Sequence, residues 1–207
     1  MTKFKFSLES EDKKARAGIL ITSHGTIKTP VFMPVGTHGT VKAVFPESLE
    51  KLDIEIILAN TYHLMLRPGE KLIKTMGGIQ KFINWNKPVL TDSGGYQVWS
   101  LSKLRKINED GVNFFSHLDG KKILLTPEYA IKIQHDLNSD ISMVLDECTE
   151  YPATYQRAHE SMELSLRWAE RCKKVFKQRT GHGLFGIIQG GMFEDLRKKC
   201  SAILGEI

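Results

Sequence analysis

Five short apolar runs, each stopped by a polar or glycine-containing cluster, set the rhythm of the chain. They occupy residues 31–35, 54–59, 88–91, 141–145 and 184–188. They stop at Gly36-Thr37-His38, Asn60-Thr61-Tyr62-His63, Asp92, Asp146-Glu147-Cys148 and Gln189-Gly190-Gly191. Near-continuous apolar runs of this length read as strands buried on both faces, the habit of parallel sheets. Helical patterns separate most of them. Residues 47–52 and 69–76 predict short helices, and Thr126 with Pro127 predicts an N-cap and first position of a helix to about residue 137. From 154 to 179, Ala158, Met162, Leu166, Ala169, Lys173 and Phe176 recur at helical spacing, and basic residues then Gly181 mark its end. A last helix begins at Glu194.

Two stretches break the rhythm. Residues 4–35 predict a β-rich entry, with a hairpin turning at Ser23-His24-Gly25 and His24 an exposed turn residue. Residues 112–116 and 122–125 flank Asp119-Gly120 and predict an inserted hairpin. The basic loop Lys103-Leu104-Arg105-Lys106 before it is a solvated charged segment whose position makes a phosphate contact worth testing.

Strand–helix alternation predicts the α/β class and allows an open doubly wound sheet or a closed (β/α)8 TIM barrel. Polar residues at strand ends favour the barrel, whose site is assembled from the C-terminal ends of its strands. A barrel needs eight strands and typically ~250 residues. The 207 residues therefore read as about five of eight strands, the N-terminal part of a single catalytic domain spanning 1–207.

Composition narrows little. Hydrophobic residues make up 41% and charged residues 26%, as in ordinary globular proteins. The net charge of +5 permits an anionic partner such as RNA without requiring one. No apolar run approaches the ~18 residues of a membrane span, and the first residues lack a signal-peptide core, so a cytoplasmic protein with no membrane partner is expected. Cys148, Cys172 and Cys200 form no CxxC pair, and no histidine has ligand-like spacing to them, so no metal site is expected in these residues.

The chemistry gathers at the strand ends. Val89 to Val98 reads Val-Leu-Thr-Asp-Ser-Gly-Gly-Tyr-Gln-Val: a strand, a carboxylate, two glycines, a ring and an amide. The bland reading is a strand closed by a Gly-Gly turn, with Asp92 capping the next segment. Taken together, however, Asn60, Asp92, Tyr96, Asp146 and Gln189 offer carboxylates, amides and an aromatic face. A carboxylate accepts from adjacent ring N–H and NH2 groups and a Gln amide donates to a carbonyl, which suits the edge of a guanine-type base. Stacking on Tyr96 would be worth ~1–3 kcal/mol, and two aspartates can divide acid–base work and recognition.

These segments, Asp92-Ser93-Gly94-Gly95-Tyr96-Gln97, Asn60-Thr61-Tyr62-His63-Leu64, Asp146-Glu147-Cys148 and Gly186-Ile187-Ile188-Gln189-Gly190-Gly191, resemble in order those of the bacterial-type tRNA-guanine transglycosylases, the queuine tRNA-ribosyltransferases. The resemblance implies exchange of guanine at the anticodon wobble position of tRNA for a 7-deazaguanine, through a covalent ribosyl-enzyme intermediate on an aspartate. It makes Asp92 the proton acceptor. Asp146 and Gln189 would hydrogen-bond the base, Tyr96 would stack on it, and Ser93, Gly94 and Gly95 would line the pocket. Asn60 and Gln97 fall near the ribose. Cys148 resembles the bacterial form, which takes the aminomethyl precursor; the alternative for Cys148 is a small buried filler. The family's nucleophilic aspartate, its structural zinc on three cysteines and a histidine, and much of its RNA surface match nothing in these residues. The chain is accordingly expected to be truncated and inactive alone, and the full-length protein to be a homodimer. Two other readings remain at this level: a barrel glycosidase using Asp92 and Asp146, and a non-catalytic RNA-binding or partner fragment of the same family.

Overall fold

The computed structural model describes residues 3–101 and 105–207. In chain order the elements are β1 (Lys5–Asp12), β2 (Ala15–Thr22), β3 (Gly25–Thr29), β4 (Val35–Gly36), α1 (Pro46–Lys51), β5 (Ile57–Ala59), α2 (Thr61–Leu66), α3 (Glu70–Thr75), α4 (Ile79–Ile83) and β6 (Val89–Thr91). There follow α5 (Gly95–Leu101), β7 (Lys106–Asn108), β8 (Gly111–Phe115), β9 (Lys122–Leu125), α6 (Pro127–Leu137), β10 (Ile141–Met143), α7 (Tyr155–Val175), β11 (Gly183–Phe185) and α8 (Glu194–Glu206). Among the described residues no helix is long and apolar enough to cross a membrane. They pack as two compact units, residues 1–92, 133–142 and 177–183 in the first and 93–132, 143–176 and 184–207 in the second.

The first unit opens with β1, β2 and β3 as an antiparallel sheet in that order, the β2–β3 hairpin turning at Ser23-His24 as its sequence predicts. The five apolar runs become one sheet of order β11-β10-β6-β5-β4. Pairing is parallel, with Val35 opposite Leu58, Ala59 opposite Thr91 and Leu90 opposite Ile141. The strands are shorter than the runs. In β5 and β6, Ile57, Ala59, Val89 and Leu90 are buried, as expected of central strands. The edge strand β4 departs from the expectation: Val35 is 52% exposed, and Phe32 just before it 76%. An edge strand has a neighbour on one side only, so apolar character alone did not guarantee burial on both faces. Among the described residues the sheet is open, with β4 and β11 at its margins and no closed barrel.

His24 corrects its expectation. It is not a plain exposed turn residue: its backbone N–H and Nδ1 reach Asp140 Oδ1 at 3.1 and 2.8 Å. The Asp140 side chain is fully buried. Ser23 Oγ, Gln80 Nε2 and the Val89 N–H also donate to it, at 2.9, 2.9 and 3.0 Å. Burial would push this carboxyl up, but hydrogen bonds from His24, Val89 and Ser23 outweigh it and hold the carboxyl below its ordinary range. The cluster joins the hairpin turn to the entry of β6 and β10.

The second unit carries the inserted segment as a three-stranded antiparallel sheet, β7-β8-β9, with one strand more than the hairpin predicted. Lys103 and Leu104 of the basic loop lie outside the described residues; Lys106 begins β7. Thr126 caps α6, accepting from the Tyr129 N–H at 3.1 Å, and Thr154 caps α7, accepting from the Arg157 N–H at 3.2 Å. Helix α7 ends at Val175, short of the expected residue 179, because Phe176 turns extended at ψ 109°. Its predicted stripe is buried where Ala158, Met162 and Leu166 pack with Leu196 and Cys200 of α8, whereas Lys173 on the same stripe is exposed.

Candidate functional site

In the first unit β6 delivers Asp92, whose N–H continues the sheet to the Ala59 carbonyl at 3.2 Å. The carboxylate is turned toward Asn60 and Thr61. It reaches back to α2, where Oδ1 accepts the Thr61 N–H at 2.9 Å and Oδ2 accepts from Asn60 Nδ2 at 2.5 Å. Thr61 Oγ1 donates to the Asp92 carbonyl. Asn60, only 5% exposed, is thus a partner of Asp92. Both carboxylate oxygens face donors, the arrangement that suits an ionised acid. The sequence hid α2, because Asn60-Thr61-Tyr62-His63 reads as the polar stop of a strand.

In the second unit Ser93 starts the turn that becomes α5. Its Oγ accepts the Gly95 N–H at 3.2 Å, a local capping contact. Gly94 has φ +84°, where a side chain is strained. Gly95 serves a close approach: a Cβ there would lie 2.9 Å from the Asp146 carbonyl oxygen and 3.4 Å from its Oδ1. Gly95 therefore makes room for the protein's own aspartate, whatever it also offers a ligand.

Asp146, past β10 and 7% exposed, accepts from Gln189 Nε2 at 2.6 Å and from Ser93 Oγ at 3.4 Å. Gln189 is held in turn by its backbone N–H on Cys200 Sγ at 3.2 Å, with Cys200 buried on α8. This brings together Ser93, Gly95, Asp146 and Gln189 as the sequence anticipated. Tyr96 is 59% exposed on α5, its ring centroid 5.8 Å from that of Trp99, and its face can still take a planar partner. Arg105 lies 5.8 Å from the Trp99 ring and donates to the Trp99 carbonyl at 2.9 Å. Gln97 is half-buried on α5. Cys148 is half-buried and forms no disulfide.

Sequence reasoning missed Glu147 and its hold. Glu147 is buried, and Arg157 of α7 grips its carboxylate with Nη2 and Nη1 at 2.5 and 3.2 Å. The hydrogen bond to Glu147 raises the Arg157 guanidinium above its ordinary value against the opposing effect of burial. Nothing local signals this pair, which comes from residues on a loop and a helix.

Among the described residues no three His, Cys, Asp or Glu side chains are placed to hold a metal ion. The described residues do not fit the structural zinc that the resemblance implies.

The family model for queuine tRNA-ribosyltransferase matches residues 11–207. Over all 207 residues the chain is 56% identical to a queuine tRNA-ribosyltransferase of Rickettsia bellii (strain RML369-C), of which it covers 58%. It is 55% identical to that of Rickettsia felis (strain ATCC VR-1525 / URRWXCal2) and 54% identical to that of Rickettsia massiliae (strain Mtu5), covering 57% of each. The chain thus spans somewhat over half the length of these curated relatives. A match that spans both units places it: the chain belongs to the queuine tRNA-ribosyltransferase family.

Proposed function

We propose that these residues are the base-recognising part of a tRNA-guanine transglycosylase, which exchanges the wobble guanine of tRNA for a 7-deazaguanine. The observation that carries the reading is the buried Asp146 carboxylate hydrogen-bonded to the Gln189 amide. Opened by a base, the pair offers an acceptor for N1–H and the exocyclic NH2, and a donor for the O6 carbonyl. Their direct bond occupies the two groups until a base replaces it. The relatives' name supplies tRNA and ribosyl transfer.

Asp92 is the proton acceptor in this reading. Ionised, it takes a proton from the incoming base; Thr61 N–H and Asn60 Nδ2 keep its oxygens oriented until then. Tyr96 supplies a stacking face. Cys148, two residues after Asp146, is the side chain assigned to the substituent of an aminomethyl-deazaguanine. The ribosyl-enzyme intermediate requires a further carboxylate for which no residue in this chain is proposed. The reading carries with it a cytoplasmic protein, a homodimer when full length, and a (β/α)8 catalytic domain of which residues 1–207 supply the first strands.

The test is incorporation of labelled guanine into tRNA by the full-length protein. Asp92→Asn keeps the shape but removes the acceptor, and exchange should fall by ~10² or more. Near-normal turnover would make Asp92 a mere support for α2. Release of sugar from a simple glycoside, with no guanine exchange, would favour the glycosidase reading.

A further inference from the structure

Glu147 stands between the two residues most directly tied to base choice, and every one of its polar groups is gripped from one face of α7. Arg157 takes both carboxylate oxygens. The Glu147 N–H donates to Ser165 Oγ at 3.0 Å, and Ser161 Oγ donates to the Glu147 carbonyl at 3.3 Å. Residues 157, 161 and 165 follow at spacings of one helical turn, so they share one face. Ser161 and Ser165 are buried, and Ser161 also accepts from Thr149 Oγ1 at 2.7 Å. Arg157 Nε extends the grip to Glu150 at 3.2 Å. A buried carboxylate needs such pairing, because desolvation of an unpaired charge is costly.

The side chains on this loop diverge. Glu147 goes back to α7, while the carboxylate of Asp146 goes to Gln189 and Ser93. Fixing Glu147 by four groups at once fixes the direction in which its neighbour leaves the chain. We propose that Arg157 and Glu147 are positioning residues for base recognition, acting through Asp146. The proposal rests on the reading of Asp146 as the base acceptor. Recognition by two adjacent hydrogen bonds is sensitive to displacements well under an ångström, which is what a bidentate ion pair on a rigid helix limits.

The experiment compares guanine binding by calorimetry, and KM and kcat for base exchange, in the full-length protein and four variants: Glu147→Gln, Arg157→Ala, Arg157→Lys and Asp146→Asn. Melting and circular dichroism establish the folded fraction used to scale each titration. Glu147→Gln preserves volume and guards against an Arg157→Ala chain that fails to fold. The expected result is a guanine affinity about tenfold weaker in Glu147→Gln and Arg157→Ala, with partial recovery in Arg157→Lys. KM for the base should rise while kcat at saturating base changes less than about threefold. The double variant Asp146→Asn/Arg157→Ala should bind guanine no worse than Asp146→Asn alone, since one acts through the other. If Asp146→Asn loses affinity while the folded Glu147 and Arg157 variants stay within twofold of the parent, the pair only supports the fold and the proposal is overturned. If Asp146→Asn itself binds normally, the base-acceptor reading fails and the proposal fails with it.

Discussion

Two buried aspartates bracket β10 and are held in different ways. Asp140, just before the strand, is closed on every side by the protein: two backbone N–H groups, a hydroxyl, an imidazole and an amide donate to it. Asp146, just past the strand, meets the amide of the half-exposed Gln189 and, at 3.4 Å, the Ser93 hydroxyl. The first carboxylate is committed to joining chain segments far apart in sequence, and replacing its donors would gain nothing. On the proposed reading, the Gln189 amide bonded to the second is what a flat base with its own donors displaces. The difference, on that reading, separates a carboxylate kept for the fold from one kept for a base.

The largest effect expected from breaking this contrast is on stability. Asp140→Ala strands several donors and should cost about 3 kcal/mol or more, since each buried donor left unsatisfied costs about 1–3 kcal/mol. For a chain of this size that lowers the melting temperature by roughly 10 °C. The folded fraction should still bind guanine with parental affinity. Equal melting temperatures for variant and parent would show that the cluster is dispensable.

Acid should sharpen the contrast in two stages. The folded Asp140 carboxyl lies below its ordinary range, so its stabilisation is present above about pH 4 and is lost as pH falls through the folded value. Burial, then Arg179, pushes His182 down; burial, then Arg179, does the same for His135. Each is held below its ordinary value in the fold, so its contribution is complete above about pH 6.5 and declines as pH falls below that toward the folded value. Denaturation midpoints between pH 3 and pH 8 should therefore start falling near pH 6.5 and fall again below about pH 4. In Asp140→Asn the second fall should be smaller. An unchanged second fall would assign it to other carboxylates.

Gly95→Ala tests the other aspartate by crowding it. The added Cβ meets a backbone oxygen of Asp146 at 2.9 Å, so the loop must shift. A cost of about 1–3 kcal/mol in stability is expected from overpacking, together with a guanine affinity weakened severalfold. Parental affinity in the calorimeter would mean that the space at Gly95 does not set the position of Asp146.

How far the sequence reveals this depends on whether a signal is local. The Thr126 and Thr154 caps and the Ala158-Met162-Leu166 stripe are local, and each appears where its residues predict it. Polar residues stopping apolar runs likewise mark Asp92, Asp146 and Gln189. Helices α2 and α5 were hidden because Asn, Thr, Ser and Gly at their starts speak equally for a turn, and only Ser93 and Asp92 settle their first turns. The edge exposure of Val35 depends on strand order, which a single run does not encode. His24 with Asp140, and Glu147 with Arg157, are pairings between separate segments. No window of sequence contains both halves of the first, and no periodicity marks the second.

The central claim is that Asp146 reads the base, and the most direct measurement is calorimetric titration of the folded full-length protein with guanine, parent against Asp146→Asn. Asparagine keeps the shape but places a donor or a weaker acceptor against the N1–H and NH2 edge, leaving buried polar groups mismatched at about 1–3 kcal/mol. An affinity at least tenfold weaker, with the melting temperature nearly unchanged, is the predicted result. Guanine bound within twofold of the parent by a folded Asp146→Asn protein would contradict it.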